Sequence, residues 1–355
     1  MRSKTRLLLV APGRGSYGRA ELGSLGRAGG DLLERADALR RAARRPALSE
    51  LDGAERFSPS RHLAGEHASA LIYTGTQQDA AAIAARDSLQ VVGVMGNSMG
   101  WYSALAIAGA LSFDDGFRLV DGMGWRQQDG VVGGQLLTAV VDADWRFDAA
   151  RAGELEALLA EVSASAEGRG LWLSIRLGGQ WVIAGTEEGL AELEARLTPY
   201  DLGKRRYPFR LALHSAFHCP LMGAAAEAAR ELLGTVAWRR QGFPLIDGAG
   251  QLHLAYGGTE RAKLASYTAG PQVLETFDFT AALRVALREL CPDQVVLLGP
   301  GASLGSAIAQ VMISEGWRGL RDRADFERAQ SGEDRPLVAL GRADQRLALL
   351  GPEAR

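Results

Sequence analysis

Cysteine is scarce in this chain: Cys219 and Cys291 are the two in 355 residues. Two cysteines cannot build a disulfide framework, and no Cys/His cluster has zinc-ligand spacing, so no metal site is expected. An excess charge of either sign is also missing. Forty basic residues stand against 42 acidic ones, a formal charge of -2, which leaves no global field to recruit nucleic acid or an anionic membrane. Any charged partner must meet a local patch. Long apolar runs are absent too: nothing approaches the roughly 20 residues that span a bilayer. The opening "MRSKTRLLLVAPG" has a basic start, but "LLLVA" is too short for a signal peptide and runs into Pro and Gly, so it reads as a first buried strand. A reducing, cytoplasmic setting is the expectation. Histidine is limited to His62, His67, His214, His218 and His253, which narrows any search for a general base.

What the chain does have is length and 47% apolar content, ample for a packed core of one large domain or two. Short apolar runs at 6–11, 70–75, 89–95 and 294–299 alternate with longer helix-like segments, including about 19–45. That rhythm predicts an α/β fold with a largely parallel sheet. The middle differs. A strand from Gly134, a helix near 148–166, the strands "LWLSIRL" and "QWVIAG", a helix near 187–198 and an extended run before Pro208 give a β-α-β-β-α-β order, the ferredoxin-like signature. An inserted small domain is therefore placed at 132–207, inside a large domain formed from 1–131 and 208–330. Residues 331–355 lose periodicity and are expected to form a loosely attached tail.

The run "QVVGVMGNSMGWYSALA" (90–106) holds Gly-x-Ser-x-Gly between a strand and a helix. In that context the glycines permit a sharp turn that exposes the Ser98 hydroxyl. The N–H of Met99, at the new helix's start, then points where an oxyanion would form. The alternative is that Ser98 merely caps the helix. A nucleophilic serine needs a base. His62 and His67 lie in the polar stretch "SRHLAGEH" and read as solvated, and His253 reads as a hairpin residue. His218, at a strand end before Pro220, is left as the candidate, with a packed core histidine as its alternative. The ordinary hydrolase order of Ser, acid, then a late His fits poorly, because about a hundred residues follow the last histidine.

Several segments carry a resemblance in order over most of residues 6–310: "VAPGRGSYG", "GNSMGWYSALAIAGALSFDDGFRLV", "GGQWVIAG", "SAFHCPLM" and "LLGPGASL". Together they make the chain resemble the malonyl-CoA:acyl carrier protein transacylase family, including the acyltransferase domains of polyketide synthases. The resemblance implies an α/β-hydrolase-like core with an inserted ferredoxin-like domain. It implies that Ser98 accepts the acyl group, that His218 is its general base and then acid, and that N–H groups of Met99 and Arg14 hold the oxyanion. It also implies that a main-chain carbonyl in "LIDG", from Asp247 or Gly248, orients His218. No bound cofactor is implied, and the partners are acyl-CoA and acyl carrier protein, in fatty acid or polyketide biosynthesis. A monomer is expected.

The departures from the family pattern bear on the substrate. Malonyl-specific members carry an arginine in the helix after the elbow helix, and here that position is Met123. An unpaired buried carboxylate costs about 3 to 5 kcal/mol, which disfavours malonyl roughly a hundredfold. Met123 instead suits a neutral acyl chain, unless Arg126, one helical turn on, takes the arginine's place. Asn97 stands for the family's histidine before the nucleophile, Trp101 for its glutamate and Tyr17 for a glutamine. Trp101 and Trp125 add bulk to a pocket wall or to the core. Phe217, before His218, implies an acyl group without an α-methyl. The patch Lys204, Arg205, Arg206 and Arg210 suits CoA phosphates, an acidic carrier protein, or a merely solvated strand edge. The "LLGPGASLGS" loop lacks the Lys-Ser/Thr of a nucleotide loop and reads as scaffold. The expected function is transfer of a neutral, unbranched acyl group through Ser98. The alternatives are hydrolysis of acyl-carrier protein, malonyl transfer using Arg126, and a silent carrier-binding module.

Overall fold

The structure, a computed structural model, describes residues 4–28, 30–164, 170–256 and 260–351, apart from the side chains of 128 and 129. The strands in chain order are β1 (Thr5–Ala11), β2 (Leu89–Gly96), β3 (Gly134–Ala139), β4 (Leu171–Leu177), β5 (Gln180–Gly185), β6 (Tyr200–Leu202), β7 (Arg205–Tyr207), β8 (Phe209–Arg210), β9 (Leu245–Ile246), β10 (Leu252–His253), β11 (Phe277–Asp278), β12 (Gln294–Leu297) and β13 (Leu337–Ala339). Among the described residues the main sheet runs β10-β9-β2-β1-β12-β13. Every pairing in it is parallel except β10 with β9. Leu7, Leu8, Leu9 and Val10 of β1 are buried because helices cover both faces, which is why the strand is a continuous apolar run rather than an alternating one.

The second sheet has the order β11-β4-β5-β3-β8. Its inserted strands pair antiparallel as β4-β5-β3-β8, with helices Ala149–Ala164 and Glu187–Arg196 as crossovers; this is the ferredoxin-like arrangement. Thr186 starts the second of these helices, its hydroxyl accepting from Gly189 N at 3.1 Å, as an N-cap should. The sheet's last strand, β8, lies past the expected boundary at 207; residues 200–207 form their own hairpin, β6–β7. The large part lends β11, parallel to β4. Residues 165 and 166, the expected end of the first small-domain helix, lie outside the described residues.

Two sequence expectations are corrected. "ALIYTG" (70–75) is not a strand but the middle of a 20-residue helix, Gly65–Ala84. Leu71, Ile72, Tyr73 and Thr74 are all buried, so the helix shows no polar face there and its apolar run mimics a buried strand. The segment 331–355 is not a loose tail over its described part. β13 adds to the main sheet beside β12, Leu337 to Leu340 are buried, and Arg346 pairs with Asp79. Residues 352–355 lie outside the described residues. In the "LLGPGASLGS" loop, Gly299 N donates to the buried Asp79 at 2.6 Å, a structural contact. Among the described residues no helix is long and apolar enough to cross a membrane.

Candidate functional site

β2 ends at Gly96, the chain turns through Asn97 and Ser98, and a helix starts at Gly100 and runs to Ile107. Ser98 has φ 54°, a left-handed conformation that typically costs a non-glycine residue about 1 to 3 kcal/mol. The turn is tight enough to demand its glycines. A Cβ on Gly96 would stand 2.1 Å from the Gly100 carbonyl carbon, and one on Gly100 would stand 2.2 Å from Ala11 O.

This geometry lifts the Ser98 hydroxyl away from the helix end. Met99 is the N-cap and no side chain caps the helix, so Ser98 is not an idle cap. Its Oγ is 2.7 Å from Nε2 of His218. His218 is buried, also has a left-handed backbone at φ 57°, and places Nδ1 2.8 Å from the main-chain oxygen of Gln272. That oxygen can only accept, so Nδ1 carries the proton and the Nε2 lone pair faces the serine. Burial lowers the His218 pKa to about 4, with the Gln272 hydrogen bond opposing. The imidazole is therefore neutral at neutral pH and free to take a proton. The main-chain N–H groups of Met99 and Arg14 donate to no protein acceptor among the described residues. Ser98, Met99, Arg14 and His218 all line one cavity of about 510 Å³ between the two parts of the chain.

The partner of His218 is thus Gln272, which the sequence did not suggest. Any residue supplies a main-chain oxygen, so side-chain chemistry gave no signal for it. Asp247 and Gly248 do not orient His218. The Asp247 carboxylate instead accepts from His253 Nε2 at 2.8 Å, and Gly248 O accepts from Asp278 N.

No protein-family model matches the chain. It is 28% identical, over 221 residues and 61% of its length, to the malonyl CoA-acyl carrier protein transacylase of Bacillus subtilis, and the match spans 63% of that curated relative. Its structure covers 98% of the malonyl-CoA:acyl carrier protein transacylase of Xanthomonas oryzae pv. oryzae and is itself covered to 98%, with TM-score 0.72 and 20% identity. MCAT from Mycobacterium tuberculosis gives TM-score 0.72 and 20% identity over 98% of this chain and all 100% of that one. The chain is similar to these malonyl-CoA:acyl carrier protein transacylases and shares their fold.

Within this transacylase fold the other expected residues distribute unevenly. Met123 lines the cavity and packs with Phe217 against Met222, Ala226, Ala229 and Val273. Ser112 starts the helix that carries Met123 (Phe113–Trp125), accepting from Asp115 N at 3.0 Å. Arg126 reaches the cavity rim but is half exposed and paired with Glu231 Oε2 at 2.9 Å. Asn97 is buried on the cavity wall, with Oδ1 unpartnered among the described residues.

Trp101 does not line the cavity. It is fully buried behind the elbow, donating to Thr268 Oγ1 at 2.9 Å and meeting Tyr267 edge-on. Trp125 lies under the guanidinium of Arg45 at 4.6 Å, and Tyr17 donates to Asp52 at 2.6 Å in the core. The polar surroundings of His62 and His67 misled: both are buried. His62 Nε2 meets Leu51 O at 2.9 Å, and His67 Nδ1 lies 3.3 Å from the buried Arg40. His253 does sit in the β9–β10 hairpin. Of the basic patch, Arg205 lines the cavity, whereas Arg210 is tied to Glu187 and Glu194. Among the described residues no His, Cys, Asp and Glu group is arranged to hold a metal.

Proposed function

We propose that the chain is a serine acyltransferase that moves an acyl group from a CoA or carrier-protein thioester, through a Ser98 ester, to a second acceptor. The 2.7 Å contact between Ser98 Oγ and His218 Nε2, on the wall of an interdomain cavity, carries this reading. Ser98 Oγ attacks the thioester carbon as its proton passes to Nε2. The main-chain N–H groups of Met99 and Arg14 hold the oxyanion; one such donor is typically worth about 2.7 to 4 kcal/mol. The C–S bond then breaks, His218 returns the proton to the leaving thiolate, and an acceptor thiol reverses the sequence. The orienting group is a main-chain oxygen, so the pair works without an acidic third member. The acyl carriers bring their own activated bond, and no resident cofactor enters the scheme. A cytoplasmic setting suits two free cysteines, Cys219 and Cys291.

The acyl group proposed is neutral and unbranched. Met123, Met222 and Val273 give that wall an apolar face, and Arg126 is turned to Glu231 at the surface. Phe217 packs on the same wall, and its bulk beside His218 is the ground for proposing an acyl group without an α-methyl. Malonyl transfer through Arg126 is not supported by that geometry.

Incubation with acetyl-, butyryl- and malonyl-CoA, followed by intact mass and peptide mapping, tests both claims. Acetyl or butyryl on Ser98 is the expected result. Selective malonylation would overturn the substrate reading, and no adduct on Ser98 with any donor would overturn the acyl-enzyme.

A further inference from the structure

The side chain of Arg14 is not used by the scheme above, which draws only on its main-chain N–H. Arg14 follows β1 and lies on the same cavity wall as Gly15, Asn97 and Ser98. Its guanidinium is held from three directions, by Gln127 Oε1, by Leu63 O at 3.1 Å and by Leu213 O at 3.1 Å. The Phe217 ring lies 5.7 Å beneath it. All three acceptors are neutral. A guanidinium has five N–H donors, and these contacts use three, leaving Nε–H and one Nη1–H available.

The other arginines that line the cavity are differently placed: Arg126 meets Glu231, and Arg205 is exposed to solvent. Among the described residues, no carboxylate stands within ion-pair distance of Arg14. Burial pushes its pKa down to about 10 with no charged neighbour raising it. A desolvated cation fixed among neutral dipoles is a preorganised anion receptor, because the strain on the charged form is relieved when an anion arrives.

We propose that the Arg14 guanidinium binds an oxyanion group carried by the thioester substrate, inside the cavity that holds Ser98. The chemistry is a carboxylate or phosphate oxygen accepting a single charge-assisted hydrogen bond from Nε–H or from the free Nη1–H. Both Nη2–H groups are taken by Leu63 O and Leu213 O, so the contact is not bidentate. Two parts of a substrate could supply it: a free carboxylate on the acyl group, or a phosphate of the carrier arm. The proposal rests on the acyl-enzyme reading for its assay. A carboxylate source would also replace the neutral acyl group by an anionic one at this end of the cavity, opposite the Met123 wall.

Four donors separate the sources: acetyl-N-acetylcysteamine with neither anion, malonyl-N-acetylcysteamine with the carboxylate alone, acetyl-CoA with the phosphates alone, and malonyl-CoA with both. Second-order labelling rates of Ser98 are compared for wild type, Arg14→Gln and Arg14→Lys; both variants keep the main-chain N–H. Relative to acetyl-N-acetylcysteamine, Arg14→Gln is expected to lose about ten- to hundredfold on one anionic donor class, and Arg14→Lys to recover part of it. Loss on malonyl-N-acetylcysteamine identifies the carboxylate; loss on acetyl-CoA alone identifies the phosphate. Ratios that stay the same in Arg14→Gln overturn the proposal. If wild type labels Ser98 with no donor, the acyl-enzyme reading fails separately. Calorimetric binding of malonate and of inorganic phosphate to wild type and Arg14→Gln then decides: binding lost in the variant supports the receptor, and equal or no binding overturns it. If Arg14→Gln does not fold, Arg14→Lys is titrated beside wild type instead: weakened malonate or phosphate binding supports the receptor, and unchanged or absent binding overturns it.

Discussion

Nδ1 of His218 stands 2.8 Å from the main-chain oxygen of Gln272, and the same residue's side-chain Nε2 donates to Ser98 O at 2.8 Å. One buried glutamine therefore fixes the imidazole tautomer and braces the turn that presents the hydroxyl. Gln272→Leu would keep the main-chain acceptor and remove the brace. We expect a loss of about 1 to 2 kcal/mol in stability and a slower Ser98 acylation, read by chemical denaturation and by mass spectrometry. A variant as fast and as stable as wild type would show that the brace does nothing.

The pH dependence follows from burial. His67, His214 and His218 each have a pKa lowered from 6.5 to about 4, with desolvation the largest cause. The acid limb of Ser98 acylation should fall near pH 4, not 6.5, because only protonated His218 is inactive as a base. Stability has the matching sign. Between pH 6.5 and 4 the unfolded chain binds more protons than the native one, so stability is full above 6.5 and falls as pH drops through the window. Each histidine contributes up to about 1.4 kcal/mol per pH unit. Denaturation midpoints that stay flat from pH 7 to 4.5 would contradict the buried, neutral state.

Met123→Arg would place a cation on the apolar wall. A carboxylate-bearing donor should gain about tenfold or more over acetyl-CoA in competition for Ser98, and butyryl transfer should fall. Competition assays with mixed donors read this directly. An unchanged preference would mean that residue 123 does not face the acyl group.

Gly100→Ala should disrupt the elbow. Its Cβ would meet Ala11 O and Pro12 O at 2.2 and 2.8 Å, both backbone atoms that cannot swing aside. We expect a loss of at least about 1 to 3 kcal/mol together with loss of Ser98 labelling. A variant that melts with wild type and still acylates would disprove the steric account.

The largely parallel sheet and the ferredoxin-like insert were legible because their signals are local and periodic. β1 and β2 are short apolar runs, and the β-α-β-β-α-β order can be read along the chain. The elbow was legible for a similar reason: Gly96, Ser98 and Gly100 answer a steric demand within five consecutive residues. Where burial comes from distant neighbours, the reading failed. Helix Gly65–Ala84 has no exposed face over 70–75 and looked like a strand, and 337–340 looked like tail because its partners in β12 lie 42 residues upstream (Val295 beside Leu337). His62 and His67 sit among polar neighbours in sequence yet are enclosed in the fold.

What the sequence determined alone was the set of groups that stand out: a serine between two glycines at a strand-to-helix turn, and one histidine shortly before a proline. These follow from residue type and spacing within a few positions. Only the tertiary structure decided what those groups face. It chose Gln272 over Asp247 as the partner of His218, withdrew Trp101 from the cavity, turned Arg126 outward to Glu231 and left Arg14 without a carboxylate. Each of those outcomes depends on which backbone oxygen, wall or counter-charge a fold brings within about 3 Å, the reach of a hydrogen bond, and that is settled by packing between segments far apart in the chain.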